Sequence, residues 1–181
     1  MLSSLPELEL EEWLVCFMYV LKNTPRTTVQ SWMNLEPPKR RLNLFNVIDL
    51  SVKTFVKGGL SKQIDFVALD IIAHYLQHYG SSVEDKDEAS PLLKRITFTL
   101  QRIFHKGEEQ LDNTSSMLSV LFATLRLLLN TCPRPIFADV QSEFVETLIY
   151  ELMRQCNHFD PTIRARAAAL LYLAISVCPL P

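Results

Sequence analysis

The histidine pair His74 and His78 has the spacing in this sequence that most suggests metal chemistry. The two residues are four positions apart, so their side chains share one face of a helix. A zinc site needs at least a third protein ligand, together with hydrogen bonds that orient the ligands. Tyr75 follows His74, so the HExxH motif of zinc proteases is absent. We interpret the pair as a polar, half-buried helix face and predict no metal and no cofactor.

An acidic cluster also has cation-binding side chains. It consists of Glu84, Asp85, Asp87 and Glu88. The segment lacks the glycine and the ligand order of an EF-hand calcium loop. Burial could offset little of the ordering entropy of about 1–2 kcal/mol per residue, because Val83 is its only large apolar residue. We therefore predict that residues 81–90 form an exposed acidic loop, the least ordered internal segment of the chain.

The basic triplet Lys39-Arg40-Arg41 lies in the first turn of a predicted helix, where the helix dipole disfavours positive charge. A role in binding anionic lipid would explain this placement, but a single triplet is weak evidence and a solvated face is the simpler reading. His105 and His158 lie near predicted helix ends, where a cation is stabilised. The net charge of −2 and the pI near 6.1 argue against a nucleic-acid partner.

Catalytic motifs are absent. The chain has only 4 glycines in 181 residues, about 2% against a usual ~7%, and glycine forms the loops that bind phosphates in nucleotide-binding folds. No serine, cysteine or aspartate lies in a recognisable nucleophile motif. We predict that the chain is not an enzyme and has no catalytic residue.

The four cysteines lie in apolar runs or at their ends, without a CxxC pair. They are Cys16, Cys132, Cys156 and Cys178. Such cysteines are typical of buried free thiols in a reducing compartment. The start of the chain, residues 1–12, is acidic and has no basic segment of a signal peptide. We therefore expect a cytoplasmic protein.

Apolar residues recur at helical spacing along the whole chain, and no Val, Ile and Thr segment alternates with period two. The pattern predicts an all-α fold of about eight helices, approximately at 6–23, 27–35, 37–57, 61–79, 91–106, 114–132, 137–156 and 160–177. The longest apolar stretch, 117–132, contains Arg126 and is too short to span a membrane. We expect it to be the central buried helix.

Helix ends are marked by glycine, serine and proline. Gly58-Gly59 is expected to end the third helix, Ser61 to cap the start of the fourth, and Gly80 to end it. Asp160-Pro161 predicts an N-cap followed by proline at the first helical position. The inward face of the penultimate helix is predicted to contain Phe144, Val145, Leu148, Ile149, Leu152 and Met153. Apolar residues at helical spacing in the first helix are Trp13, Phe17, Val20 and Leu21, and the last helix carries Ile163, Ala167, Leu170, Leu171, Ala174 and Ile175.

The last predicted helix favours a repeat architecture. Its sequence is DPTIRARAAALLYLAI, in which alanines allow close packing and arginines can reach carbonyls or acidic groups between repeats. Helix pairs recur at roughly 35–45 residues, a period typical of armadillo and HEAT repeats. We predict a single armadillo/HEAT-like α-solenoid over residues 1–181; a globular helical bundle is the alternative.

Three segments, in their order along residues 14–173, resemble the dedicator-of-cytokinesis (DOCK) family, particularly its zizimin-like branch. The first is VLKNTPRTTVQSWMNLEPPKRRLNLFNVIDLSVKTF, matching at Trp32, Leu42, Phe45, Leu50 and Phe55. The second is FVALDIIAHYLQHY, matching at Leu69 and Asp70. The third runs from FATLRLLLNTCPRPIF to LIYELMRQCNHFDPTIRARAAALLYL. The family departs from this chain after Leu171-Tyr172-Leu173, where the sequence continues AISVCPLP and stops.

The resemblance implies a helical scaffold segment of a guanine-nucleotide exchange factor for Rac and Cdc42-type GTPases of the Rho family. The family's exchange region would follow residue 181 and its lipid-binding C2-like region would precede residue 1, so no catalytic residue carries over. We expect a fragment of a larger protein, from a truncated product or a partial gene model. Its partners would be proteins, with the GTPase bound only through the missing exchange region.

Two other hypotheses remain open at this stage. One is an unrelated HEAT or armadillo adaptor that binds a protein partner along a concave face, and the other is a helical-bundle enzyme. Because a solenoid helix without its next neighbour leaves one apolar side uncovered, we also expect helix 160–177 to promote self-association.

Overall fold

A computed structural model describes residues 6–83, 90–109, 114–138 and 142–178, and the fold is given for these residues. All regular secondary structure within them is helical, as the sequence predicts. The helices are α1 (Glu7–Asn23), α2 (Arg26–Leu35), α3 (Pro38–Thr54), α4 (Gly58–Val83), α5 (Ser90–Glu109), α6 (Thr114–Thr131), α7 (Pro133–Ala138), α8 (Ser142–Gln155) and α9 (Pro161–Val177).

The longer helices pack in two rows. Helix α3 packs on α5 and α5 on α8, while α4 packs on α6 and α6 on α9. Contacts between α3 and α4, between α5 and α6, and between α8 and α9 join the two rows. Helix α1 covers one end of the array by packing on α3 and α4. One hydrophobic core runs between the rows, from Met18 in α1 to Ala174 in α9.

Helices α4 and α6 supply much of this core. The apolar residues of α4 recur at three- and four-residue spacing and are buried throughout, at Ile64, Val67, Ala68, Ile71, Ile72, Tyr75 and Leu76. The apolar stretch that predicted a central helix is also buried along α6, at Met117, Leu118, Leu121, Phe122, Leu125, Leu128 and Leu129. The prediction of a central buried helix is confirmed, because a helix with neighbours on several sides must be apolar around most of its circumference.

The turn between α3 and α4 differs from the sequence prediction. Helix α3 ends at Thr54, before an extended Phe55, and Gly58 begins α4 instead of ending α3. Gly58 has φ of +88°, a left-handed conformation that glycine adopts without a Cβ clash. Ser61 lies inside α4, where its hydroxyl donates a hydrogen bond of 2.8 Å to the Phe55 carbonyl.

The predicted loop at residues 81–90 is helical at both ends. Helix α4 continues through Gly80 to Val83, so Gly80 does not end it, and α5 begins at Ser90. A glycine in a helix interior costs only about 1 kcal/mol relative to alanine, which a long helix with a large buried face can offset. Residues 84–89, with the four acidic side chains of the cluster, lie outside the described residues.

The predicted helix 137–156 is two helices, α7 and α8. Pro133 and Pro135 fit the first turn of α7, where a helix makes no use of the missing N–H groups, so α7 begins earlier than predicted. The described part of the chain therefore contains nine helices where about eight are expected.

The helically spaced residues Trp13, Phe17, Val20 and Leu21 of α1 coincide only in part with the buried side of this helix. Its buried residues are Leu14, Met18 and Leu21, whereas Trp13 and Val20 are 42% and 63% exposed. Apolar residues occur on both sides of this helix, so helical spacing alone could not identify the buried side. The same ambiguity explains Met153 in α8, which is predicted inward but is exposed, and Ile175 in α9, which continues the apolar spacing of its helix and is also exposed. The Asp160 cap is confirmed, since its carboxylate accepts a hydrogen bond of 2.8 Å from the Thr162 N–H.

Asp49 in α3 is a buried carboxylate that fixes α3 against α5. It accepts hydrogen bonds from Arg95 Nη1 at 2.8 Å, Thr99 Oγ1 at 3.2 Å and Arg102 Nε at 3.1 Å. The three donors lie four and three residues apart on α5, so they form one stripe along that helix. A carboxylate with several charge-assisted partners offsets the cost of its own burial.

Asp65 in α4 is a second buried carboxylate bound to α5. Lys106 Nζ lies 3.0 Å from Asp65 Oδ1 and donates a 2.6 Å hydrogen bond to the carbonyl of Phe55. Lys106 thereby joins α5 to α4 and to the C-terminal end of α3, where a cation is also stabilised by the helix dipole. Burial raises the pKa of Asp65 from 3.8 to about 6, against the opposing effect of Lys106.

Replacing Asp65 with alanine should destabilise the protein by about 3–5 kcal/mol, because it leaves the buried Lys106 ammonium without its carboxylate. The free energy of unfolding from chemical denaturation measures this loss. Asp65→Ala combined with Lys106→Met is the matched control and should recover much of the stability. An equal loss in the single and double variants would show that the two side chains do not act as a pair.

The raised pKa of Asp65 also predicts a pH dependence. At pH values between the ordinary pKa of Asp65, 3.8, and its raised pKa of about 6, the folded protein keeps a proton on Asp65 that the unfolded chain has lost. The stability that this proton contributes is complete at pH values below the pKa of Asp65 in the unfolded chain. It is lost as the pH rises through the pKa of Asp65 in the folded protein. The stability of the wild type relative to Asp65→Asn should therefore fall between about pH 4 and about pH 7 in denaturation curves. A relative stability that rises with pH would contradict this assignment.

Candidate interaction surface

A groove between α6 and α9 forms a recess in the surface of the protein, with a volume of about 660 Å³. Its floor is apolar and includes Phe122, Leu170 and Leu173, and its rim includes Arg126, Arg166 and Tyr172. Ala123 and Ala169 also line the groove and leave it wide, because neither has a side chain beyond Cβ. We call these eight residues the α6–α9 groove.

Helical spacing brings the groove residues together. On α6, Phe122, Arg126 and Asn130 follow one another at four-residue intervals, so they form a single stripe. On α9, Arg166, Leu170 and Leu173 form the matching stripe. The packing of α9 against α6 and α8, with Asp160 capping its start, holds the two stripes side by side.

The groove carries positive charge that no side chain among the described residues neutralises. Arg126 and Arg166 are both exposed, and neither makes an ion pair or a hydrogen bond within the described ranges. Their neighbour Arg164 differs, because it donates to the carbonyls of His158 and Phe159 at 2.9 and 3.0 Å. Reaching carbonyls is one of the two roles predicted for these arginines. The guanidinium groups can pair with carboxylates of a partner, and the apolar floor can pack against apolar side chains beside those carboxylates.

The groove was missed at the sequence level, although two signals were present. Arg126 interrupts the longest apolar stretch of the chain, and Arg166 lies among the alanines of the last helix. Only the packing of α6 on α9 places these residues together. Tyr172, at 76% exposed, and Ile175, at 61%, confirm the predicted uncovered apolar side of helix 160–177.

His74 and His78 share a helix face as predicted, with ring centroids 4.6 Å apart. His78 Nδ1 lies 3.2 Å from the Gln30 side-chain nitrogen of α2. Burial, followed by the neighbouring charges of His78 and Arg26, lowers the pKa of His74, so its ring is neutral at physiological pH. No cluster of three or more His, Cys, Asp or Glu side chains is arranged for metal binding in the part of the chain that the structure describes.

The basic triplet is engaged by Glu36, the residue that follows α2. Arg40 Nη1 lies 2.9 Å from the Glu36 carboxylate, and Arg41 Nε donates to the Glu36 carbonyl at 2.9 Å. The i,i+4 spacing of Glu36 and Arg40 is visible in the sequence, but the prediction from the triplet did not use it. These contacts offset the unfavourable position of Arg40 and Arg41 at the start of α3 and give both arginines a partner within the protein.

The other two histidines, His105 and His158, each contact an acidic residue. His105 Nδ1 lies 3.8 Å from a carboxylate oxygen of Glu151, and burial raises the pKa of Glu151. His158 Nδ1 accepts a hydrogen bond of 3.0 Å from the Asp160 N–H. Both histidines therefore have local structural contacts.

The cysteines are less buried than predicted. All four are free thiols, but only Cys132 is buried; Cys156 is partly buried, and Cys16 and Cys178 are exposed. Cys16 lies on the solvent side of α1, because Leu14 and Met18 turn toward the core. Proximity to apolar residues in the sequence did not distinguish the two sides of this helix.

The residues that suggest the family resemblance have structural roles. Phe45 and Leu69 are buried in the core, and Trp32 is 36% exposed. Asp70 forms a salt bridge with Arg26, whose Nε lies 2.7 Å from the carboxylate. Arg26 also donates to the Leu21 carbonyl at the end of α1, so this pair fixes α1 and α2 against α4.

Comparison with known proteins supports the resemblance. A stretch of 125 residues, 69% of this chain, is 22% identical to Dedicator of cytokinesis protein 11 of Danio rerio. The stretch covers 6% of that relative, so the chain spans only a small part of its length. No protein-family model matches the chain, and no solved structure matches it. The match confirms the similarity to dedicator-of-cytokinesis proteins predicted from the sequence.

None of the helices in the described part of the chain combines the length and apolar character required to cross a bilayer.

The differing exposure of the cysteines predicts their reactivity. A water-soluble thiol reagent should modify Cys16 and Cys178 rapidly in the folded protein, Cys156 more slowly, and Cys132 only after unfolding. Time-resolved modification followed by peptide mass spectrometry measures the order, with a denatured sample as the control for full reactivity. Rapid modification of Cys132 in the folded protein would mean that the reagent reaches the core between α6 and α7.

Proposed function

We propose that this chain is a non-catalytic helical scaffold segment of a dedicator-of-cytokinesis-type guanine-nucleotide exchange factor of the zizimin-like branch, which acts on Rho-family GTPases in the cytoplasm. The observation that carries the proposal is the 125-residue match to Dedicator of cytokinesis protein 11. The family segments that the sequence resembles follow one another in order over residues 14–173, which is the pattern expected of one continuous region.

The packing of the helices supports a solenoid for this segment. Substantial contacts join helices that are one to three places apart in the chain, as in α3 with α5 and α6 with α9. A solenoid has this property, because each repeat contacts only its neighbours. Under the proposal, α3–α4, α5–α6 and α8–α9 are successive helix pairs, and α4, α6 and α9 form one face of the array.

A scaffold role agrees with the polar contacts of the chain. Asp49, Asp65 and Asp70 all bind cations of neighbouring helices, so these carboxylates hold helices together. Exchange catalysis requires a surface that stabilises a GTPase whose switch regions and magnesium site are disrupted. In the family that the sequence resembles, this surface belongs to the exchange region, and this chain supplies the rigid support that precedes it.

An unrelated HEAT or armadillo adaptor is the second candidate. The α6–α9 groove favours it, since unpaired arginines above an apolar floor can bind a protein partner directly. The complete transcript discriminates between the two candidates. A C2-like region upstream and an exchange region downstream support the exchange factor, whereas their absence supports the adaptor.

The purified chain should neither bind guanine nucleotide nor accelerate its release from Rac or Cdc42-type GTPases. A fluorescent-nucleotide release assay measures both, with release by a magnesium chelator as the positive control for loaded GTPase. A rate increase of about tenfold or more, equivalent to about 1.4 kcal/mol of transition-state stabilisation, would place an exchange surface within this chain.

A further inference from the structure

We infer that the α6–α9 groove binds helix α1 of a second copy of this chain, which gives head-to-tail self-association. The inference does not depend on the relation to exchange factors. It rests on the charge and apolar character of two surfaces that lie on different parts of the molecule.

Helix α1 presents acidic and apolar side chains in alternation. Glu7, Glu9, Glu11 and Glu12 make no ion pair or hydrogen bond within residues 6–83, 90–109, 114–138 and 142–178. Leu8 is 70% exposed and lies four residues before Glu12, and Trp13 is 42% exposed and lies four residues after Glu9. The solvent side of α1 therefore interleaves carboxylates with large apolar groups, which is what the groove requires.

The groove has the opposite charge and a complementary floor. Arg126 and Arg166 supply two cations without acidic partners among the described residues, and Phe122, Leu170 and Leu173 supply apolar surface. Opposite charges of this kind favour one partner and one orientation. Ala123 and Ala169 leave room for close approach of a helix.

The geometry of one copy separates the two surfaces. Helix α1 packs on α3 and α4, whereas the groove belongs to α6 and α9. The bound α1 must therefore come from another copy. A twofold dimer that packed the two grooves against each other would place Arg126 and Arg166 opposite like charges, so the groove must bind a different surface of the second copy.

A small acidic ligand fits the groove less well. Ligand sites bury most of their ligand, about 70–90% of its surface. Here the arginines, the alanines and Tyr172 are all exposed, so the groove is open along its length. An elongated partner such as a helix can contact such a surface, whereas a small molecule would stay largely in solvent.

Each head-to-tail contact leaves one groove and one α1 free, so the wild-type chain should form rings or open chains larger than dimers as its concentration rises. Sedimentation velocity measures this, at about 0.05 M and about 0.5 M NaCl, because screening should weaken the association at the higher salt. A chain that stays monomeric at every concentration overturns the inference. Association that strengthens with salt also overturns it, because apolar contacts alone would then hold the copies together.

Two variants test the two surfaces separately. Arg126→Glu/Arg166→Glu alters the groove, Glu9→Gln/Glu12→Gln alters α1, and each should weaken self-association by about tenfold or more. Because each variant keeps one intact surface, an equimolar mixture should form a 1:1 complex that grows no further. Lys53→Glu/Lys94→Glu is the control, since it reverses two exposed charges on α3 and α5 and should associate like the wild type.

Circular dichroism of each variant verifies folding, which these exposed substitutions should leave unchanged. Loss of association in the groove variant alone, with the α1 variant unaffected, overturns α1 as the occupant and indicates another acidic partner. Failure of the mixture to form a 1:1 complex, with both variants folded, likewise overturns the inference.

Discussion

The burial of two carboxylates against cations of α5 is the constraint on which the arrangement of the helices depends. Asp49 in α3 and Asp65 in α4 are both buried, and α5 supplies Arg95, Arg102 and Lys106 to them. An unpaired carboxylate inside the core costs several kcal/mol, so each aspartate is tolerated only when α5 lies in register with it. Apolar contacts alone would permit α5 to rotate or slide against α3, whereas these hydrogen bonds select one position.

The position of α5 determines that of the later helices. Helix α6 packs on α4 and α5, α8 packs on α5, and α9 packs on α6 and α8. The α6–α9 groove is therefore built on helices whose register is fixed by the contacts of α5 with α3 and α4. The Asp70–Arg26 salt bridge acts in the same way at the other end, where it holds α1 and α2 against α4.

The surface left by this packing differs from one end of the array to the other. Among the residues that the structure describes, carboxylates without partners and exposed apolar side chains lie on α1, and arginines without partners lie beside an exposed tyrosine on α6 and α9. The buried carboxylates of the interior, by contrast, are bound to cations of neighbouring helices.

The sequence by itself determined the helical class, most of the helix positions, the apolar face of α4 and the Asp160 cap, because these depend on local spacing and on turn chemistry. It also carried the family resemblance. Only the tertiary structure decided which side of α1 is buried, since apolar residues occur around that helix and the choice depends on its neighbours α3 and α4. The beginning of α4 was likewise decided by tertiary contacts, because Phe55 must present its carbonyl to Ser61 and Lys106. The groove required the same information: Arg126 and Arg166 are 40 positions apart in the sequence, and only the packing of α9 on α6 brings them to one surface.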